Sequence, residues 1–352
     1  EAREELVEAG GGSAETEEAV ARALGWLARH QHEDGRWSSR GFDDGCGACG
    51  SAARYEFDPA TTGLALLCFF GTDHGVAGRE TEYSDAVRRG VAWLVAQQGN
   101  DGDLRGGGTM YTHGIATIAL CEAYALSRDD ALLAPIGKAV RFIERAGSAG
   151  NGWRYEPGQA GDTSVLGWQV MALESARRCG VAVDPAAIGS ARAWLDEVST
   201  RRARGEYAYQ RGMAPTMSMT AEGMFVRQLL GAGRHEARQE ESARFVVREL
   251  PDWDENANTY GWYYATLALY QHGGEGWERW NAALVRELLG AQRDDGAASG
   301  SWDPADQWSD IGGRVYQTAL CTLSLEVYYR YLPMYVGDAG AQKTANDIRG
   351  GE

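Results

Sequence analysis

The stretch "WLARHQHEDGRW", residues 26–37, sets Leu, then Gln four residues on, then Asp-Gly three and four beyond that. The same spacing returns in "WLVAQQGNDG" (93–102) and "ELLGAQRDDG" (287–296). Three matches to one spaced template point to internal duplication, and duplication restricts the fold more than any other feature of the chain. Weaker copies lie between them: "FIERAGSAGNGWRY" from Phe142, "WLDEVSTRRARGEYAY" from Trp194 and "FVVRELPDWDEN" from Phe245. The aromatic anchors Trp26, Trp93, Phe142, Trp194 and Phe245 stand 67, 49, 52 and 51 residues apart, a period near 50.

Each copy opens with apolar residues at helical spacing, as in Val20, Ala23, Leu24 and Leu27. The run stops at Gly, which tolerates a left-handed helix end. The neighbouring Gln and Asp can satisfy loose backbone groups at the turn, and the closing Trp or Tyr can pack over the helix end. A second, more apolar segment follows: 61–70, 113–126, 163–176, 219–231, 259–270 and 315–332. A helix apolar on most sides is buried on most sides. The second segments therefore predict an inner ring of helices and the first segments an outer ring. The expected fold is all-α, an (α/α)6 toroid, with five or seven pairs as the neighbouring alternatives.

The expected layout is a polar segment at 1–18, the toroid at 19–335 and a polar, disordered tail at 336–352. A Gly-rich insertion at 38–60 lengthens the first copy and carries the Cys46–Cys49 pair. The remaining cysteines, Cys68, Cys121, Cys179 and Cys321, are scattered, three of them inside apolar helical patterns, and read as buried thiols. No apolar run reaches the roughly 18–20 residues of a membrane span. With 34 Lys and Arg against 50 Asp and Glu, the net charge of -16 repels phosphate backbones, which disfavours nucleic acid as a partner.

The order Leu-x3-Gln-x2-Asp-Gly-x-Trp resembles the QW motif of squalene and terpene cyclases and the repeats of protein prenyltransferase β-subunits. More closely, "MYTHGIATIALCEAY", "GNGWRYEPGQAGDTSVLGWQVMAL", "YYATLALYQHGGEGWERWN" and "GGRVYQTALCTLSLEVYYRYLP" resemble the bacterial proteins labelled prenyltransferase and squalene oxidase repeat-containing. The resemblance covers roughly residues 19–335. It implies the toroid and an apolar, isoprenoid-class ligand. It also implies an N-terminal membrane anchor ahead of a soluble domain, which leaves the compartment, ectodomain or cytoplasm, open. It does not imply one activity.

Class II terpene cyclases, in this resemblance, protonate an alkene with an Asp above an aromatic cavity whose π faces stabilise carbocations. Three carboxyls compete for that role. "DWDENA" (252–257) offers Asp254, against the reading of an acidic surface turn. "QAGDTS" (159–164) offers Asp162, against the reading of a helix cap, and Gly161 stands where the donor would be. Glu222 lies between Ala221 and Gly223 in an apolar stretch, where an unpaired carboxyl has a raised pKa. Glu122, Glu174 and Glu326 recur at matching points of three inner segments, and recurrence reads as structural pairing.

The first turns of the inner segments are expected to gather at one mouth of the ring. That places Tyr111, His113, Thr163, Trp168, Tyr260, Trp262, Tyr263, Arg314, Tyr316 and Gln317 as candidate ligand contacts. No cofactor is required by the sequence. Cys46 and Cys49 form half of a structural zinc motif, with Asp43, Asp44, His74 or another thiol as the missing ligands. A prenyltransferase-type zinc site is disfavoured because Asp-x-Cys opens no inner segment. A complement-like thioester is disfavoured because no Gln follows "DGCGACG" at the required place. The functional expectation is an isoprenoid or other apolar ligand in a central aromatic cavity, with or without acid-initiated cyclisation. The alternative is a non-catalytic scaffold for a peptide or protein at the cavity mouth. Carbohydrate cleavage is the weaker third reading, since no carboxylate pair at fixed separation is evident.

Overall fold

The computed structural model describes residues 2–47, 49–148, 150–200 and 205–330. The expected disordered tail at 336–352 lies outside the described residues. Twelve helices form six hairpins. The outer members are α2 (Ala14–Arg29), α4 (Ser84–Ala96), α6 (Leu133–Ala146), α8 (Pro185–Val198), α10 (Ala237–Val246) and α12 (Gly274–Ala291). The inner members are α3 (Asp58–Gly71), α5 (Met110–Ser127), α7 (Thr163–Arg178), α9 (Met217–Leu229), α11 (Thr259–His272) and α13 (Gln307–Leu325). Two short helices, α1 (Ala2–Gly10) and α14 (Val327–Arg330), pack on each other beside the junction of first and last repeats. The β features among the described residues are isolated bridges.

Consecutive inner helices lie side by side, and α13 returns to α3, so the ring is closed. The burial pattern matches the two-layer reading. Every residue of α3 from Asp58 to Phe70 is buried, whereas α6 buries one stripe, Ile136, Ala139, Val140, Phe142, Ile143 and Ala146.

The repeat motif is a stitch between neighbours as well as a helix end. The Gln31 amide donates at 2.8 Å to Gly35 O in its own turn and at 2.8 Å to Ala86 O on the next outer helix, α4. Gln98 reaches Pro135 O at 2.9 Å, and Gln292 reaches Ala19 O at 2.9 Å, joining the last repeat to the first. The closing tryptophan caps the outer helix: Trp37, Trp153 and Trp302 donate to the orphan carbonyls of Leu27, Ile143 and Leu288 at 2.7, 2.7 and 2.8 Å. The glycine of each turn lets the next outer helix come close. A Cβ on Gly35 would stand 2.4 Å from Arg89 O, and one on Gly102 would stand 2.3 Å from Lys138 O. In the sixth repeat that place belongs to Gly300, 2.4 Å from Arg22 O, and not to Gly296 of the Asp-Gly pair, which faces open space.

The insertion threads into a break in α13. Gly313 has φ 77°, and the interrupted ladder is taken up by the insertion: Arg54 N–H donates to Ile311 O and Arg314 N–H donates to Ser51 O, both at 2.9 Å. A Cβ on Gly313 would lie 2.5 Å from Ala53 N, so only glycine admits the loop there.

Candidate functional site

Side chains on the ring axis fall into layers. At the N-terminal ends of the inner helices sits a buried polar layer. Asp162 caps α7, accepting from Val165 N–H at 2.8 Å, Ser164 Oγ at 2.9 Å and Tyr209 Oη at 3.1 Å, with Arg154 Nε 3.6 Å away. Burial raises its pKa, and these partners pull it back. Every hydrogen in that cluster points at Asp162, which is the environment of an ionised carboxylate. The Tyr111 hydroxyl donates to Ser164 Oγ, and Tyr155 and Tyr209 join their hydroxyls at 2.6 Å.

Glu222 of α9 is fully buried beside this cluster. Its Oε1 accepts from Gly167 N–H at 3.0 Å. Its Oε2 lies 2.9 Å from Tyr260 Oη, which is also 2.8 Å from Ser164 O. The Tyr260 hydroxyl has one proton for two oxygens. A backbone carbonyl is an acceptor only, so satisfying both contacts requires a protonated Glu222 as the donor to Tyr260. The pKa agrees: burial pushes the Glu222 carboxyl well above the usual range, with the Asp162 charge acting in the same direction and Tyr260 opposing. The two carboxyls of adjacent helices thus meet different surroundings: several donors converge on Asp162, while Glu222 has one backbone N–H and a shared hydroxyl. Gly167 makes this contact sterically attainable, since a Cβ there would stand 2.1 Å from Glu222 Oε1.

Below the acid lies an aromatic plug. Trp168 stacks on Tyr263 at 5.8 Å, and Tyr264 stands edge-on to both, at 5.7 and 5.5 Å. The Trp168 indole N–H is buried without a hydrogen-bond partner. Beneath the plug the ring opens at the C-terminal ends of the inner helices into a cleft of about 520 Å³. Its apolar surface comes from Phe70, Ile118, Met171, Phe225 and Leu229, and its rim from Glu122, Glu174, Arg128, Arg178, Tyr329 and Arg330. Glu122 pairs with Arg330 at 2.5 Å and Glu174 with Arg177 at 2.5 Å, and Arg330 Nη1 stands 3.7 Å from the buried Glu326. The recurring glutamates therefore sit in pairings at the helix ends.

The candidates taken from the sequence separate by direction around their helices. Tyr111, Trp168, Tyr260 and Tyr263 meet on the inner wall. His113, Thr163, Trp262 and Arg314 turn outward. His113 accepts from Leu104 N–H at 3.1 Å and reaches Ala139 O of α6 at 3.1 Å. Thr163 donates to Ala208 O at 2.7 Å and receives the indole of Trp194 at 3.2 Å. Trp262 packs against Trp253, and Arg314 binds Ser301, Asp303 and Gly50 O. Gln317 is bonded to Thr259 between α13 and α11 at 2.9 Å, and Tyr316 stays half-buried. Asp254 is exposed in a turn closed by Asp252, which accepts from Asp254 N–H at 3.2 Å and Glu255 N–H at 3.0 Å.

Sequence reasoning passed over Tyr155, Tyr209 and Tyr264. A signal existed for two of them: "WRY" at 153–155 and "YAY" at 207–209 place a tyrosine two residues after each closing aromatic. Among the ligands weighed for Cys46 and Cys49, neither Asp43, Asp44 nor His74 joins them. His74 is engaged with Thr81 at 2.9 Å. Among the described residues, the group that could hold a metal is Cys46, Cys49 and His30.

Solved structures share this architecture. The type II terpene cyclase MstE from Scytonema aligns with a TM-score of 0.59 at 14% identity, over 92% of this chain and 100% of that one. Its complexes hold geranylgeranyl dihydroxybenzoate as substrate and merosterolic acid A as product. The GH76A α-1,6-mannanase from Salegentibacter sp. HEL1_6 aligns with a TM-score of 0.62 at 12% identity, over 89% of this chain and 98% of that one. Inactive variants of it hold α-1,6-mannotriose and α-1,6-mannotetrose. No family model and no curated protein matches the sequence. Among the described residues no helix is long and apolar enough to cross a membrane. What the chain shares with both enzymes is the α/α toroid, the same ring of helical hairpins that its repeats predict.

Proposed function

We propose that the toroid binds an apolar ligand of the isoprenoid class, which enters through the cleft at the C-terminal ends of the inner helices. The observation that carries this reading is the cleft itself. About 520 Å³ falls within the roughly 300–1,000 Å³ of small-molecule sites, and its floor of Phe70, Ile118, Met171, Phe225 and Leu229 is apolar. Behind that floor lies the buried aromatic plug of Trp168, Tyr263 and Tyr264, whose rings would suit an alkene or a developing carbocation if the plug opened. Acid-initiated cyclisation carries less weight: Glu222, the best-suited acid ahead of Asp162 and Asp254, is fully buried behind the Trp168 plug and does not line the cleft. With the plug displaced, the Glu222 proton would pass to one alkene carbon, the π pair would form the new C–H bond, and positive charge would develop on the other carbon. Asp162 is engaged by three hydrogen-bond donors as a helix cap, and Asp254 faces solvent. Glycosidase chemistry has less support, because the rim carboxylates Glu122 and Glu174 are paired with arginines. We also read Cys46 and Cys49 as a structural zinc clip for the insertion, supported by the approach of His30 to both thiols.

The test is equilibrium binding of farnesol, geranylgeraniol and squalene, followed by mass spectrometry of the extracted ligand. Met171→Arg should abolish binding while the fold persists. Glu222→Gln should leave binding intact and remove any cyclised product. Binding that survives Met171→Arg would sink the cleft as the entry.

A further inference from the structure

We infer that His30, Cys46 and Cys49 form a three-ligand zinc site that locks the seam where the first and last repeats close the ring. The inference rests on the reading of Cys46 and Cys49 as a zinc clip, and adds the third ligand and the role.

His30 follows the last residue of α2 and is buried, with its ring stacked on Trp26 at 4.2 Å. Its Nδ1 lies 2.7 Å from Trp26 O. A carbonyl oxygen only accepts, so Nδ1 carries the hydrogen and the lone pair sits on Nε2. That lone pair faces the thiols: Nε2 is 3.1 Å from Cys49 Sγ and 3.4 Å from Cys46 Sγ, and the sulfurs are 3.2 Å apart. A backbone carbonyl fixing the far nitrogen of an imidazole is the usual support of a metal-bound histidine. The two thiols project from a tight turn in which Asp43 O accepts from Cys46 N–H at 3.0 Å and from Gly47 N–H at 2.6 Å.

Two thiolates and one imidazole suit zinc, and its tetrahedral N–S and S–S edges are about 3.6–3.8 Å. The donors must therefore spread by roughly half an ångström to seat the ion. Cys46 is exposed on its loop, so the spread and the fourth coordination position are on the solvent side.

The placement gives the site its role. His30 ends α2, which packs on both α3 and α13. Two residues past Cys49, Ser51 O accepts from Arg314 N–H, and Arg54 N–H donates to Ile311 O across the break in α13. Arg314 Nε also donates to Gly50 O at 3.2 Å. An ion on His30, Cys46 and Cys49 therefore ties the first outer helix to the loop that completes the last inner helix.

The experiment uses the whole chain, reduced and metal-stripped, titrated with Zn²⁺ against a chromophoric chelator. Hydrogen exchange is then read with and without zinc. One ion should bind per chain. His30→Gln should weaken it more than about 100-fold, since even groups supporting a ligand cost about 10- to 100-fold. At a free zinc concentration of 100 times Kd, amides 50–54 and 311–315 should exchange up to about 100-fold more slowly. Cys179→Ser, on the far side of the ring, should bind as the unmodified chain does. Failure to bind one ion overturns both the clip and the seam. Binding that ignores His30→Gln, or that leaves the seam amides unprotected, overturns this inference and leaves the clip standing.

Discussion

The two ends of the ring are built on the same six inner helices and do opposite things with polarity. At the N-terminal end, buried polar groups are linked to one another: Tyr111, Ser164, Asp162 and Tyr209 on one side, Glu222, Tyr260 and the Gly167 N–H on the other. At the C-terminal end, Glu122, Glu174 and Arg330 gather at the rim, Glu326 is buried beside Arg330, and the floor is hydrocarbon and sulfur. Helix N-termini present N–H groups and a partial positive charge, which favours a carboxylate such as Asp162. Helix C-termini present carbonyls, which favour the arginines found there. The difference teaches that a toroid's axis need not be hollow from end to end. One end closes by satisfying itself and leaves the other free for a ligand.

Trp168 divides the two ends, so its removal should have the largest effect. Trp168→Ala is expected to cost about 3–5 kcal/mol in chemical denaturation, the usual loss for truncating a fully buried aromatic. A cost below about 1 kcal/mol would mean that the plug is loosely packed and the division between the ends is not real.

Acid should attack the closed end next, through His113. Burial lowers its pKa from 6.5 to about 4. The unfolded chain therefore takes up a proton first, and stability falls as pH drops below 6.5 and levels off near the folded value. The loss should total roughly 3 kcal/mol, at about 1.4 kcal/mol for each pKa unit. Denaturation midpoints for the parent chain and His113→Gln across that range measure it. Parallel pH profiles would remove His113 as the cause.

Glu222 sharpens the comparison further. Glu222→Ala strands Gly167 N–H and Tyr260, and is expected to cost about 1–3 kcal/mol. Glu222→Gln can keep both contacts. Because the folded carboxyl holds its proton above the pH at which the unfolded one loses it, the parent chain loses stability as pH rises past the ordinary glutamate range. Glu222→Gln lacks that slope and should gain on the parent from pH 5 to pH 8. A constant gap would mean that Glu222 is ionised in the fold. At the open end the smallest effect is expected. Glu174→Ala removes a pairing whose Arg177 partner is mostly exposed, and should change stability by less than about 1 kcal/mol while leaving the cleft in place.

The ring was legible in the sequence because its stitches are local in spacing. Gln31, Gln98 and Gln292 stand at one distance from their Leu and Asp-Gly partners, and their role requires that distance. The inner wall was less legible. Residues such as Tyr111 and His113 sit two apart on one turn, about 200° around the helix, so one faces the axis and the other the outer layer. Grouping them by height along the helix merged the two faces. His30 stayed hidden because its thiol partners arrive by way of the insertion, 16 and 19 residues later, with a spacing set by the loop. The open cleft was missed because the apolar ends of the inner segments look the same whether they touch protein or line a hollow.

The stitch from Gln292 back to Ala19 gives the last junction the same bond that Gln31 and Gln98 make at the first two. A linear stack of repeats has two frayed ends that need protecting; among the described residues the last inner helix packs back on the first. A circular permutant, with its old ends joined and new ones opened in the exposed turn at 180–184, should fold to the same ring.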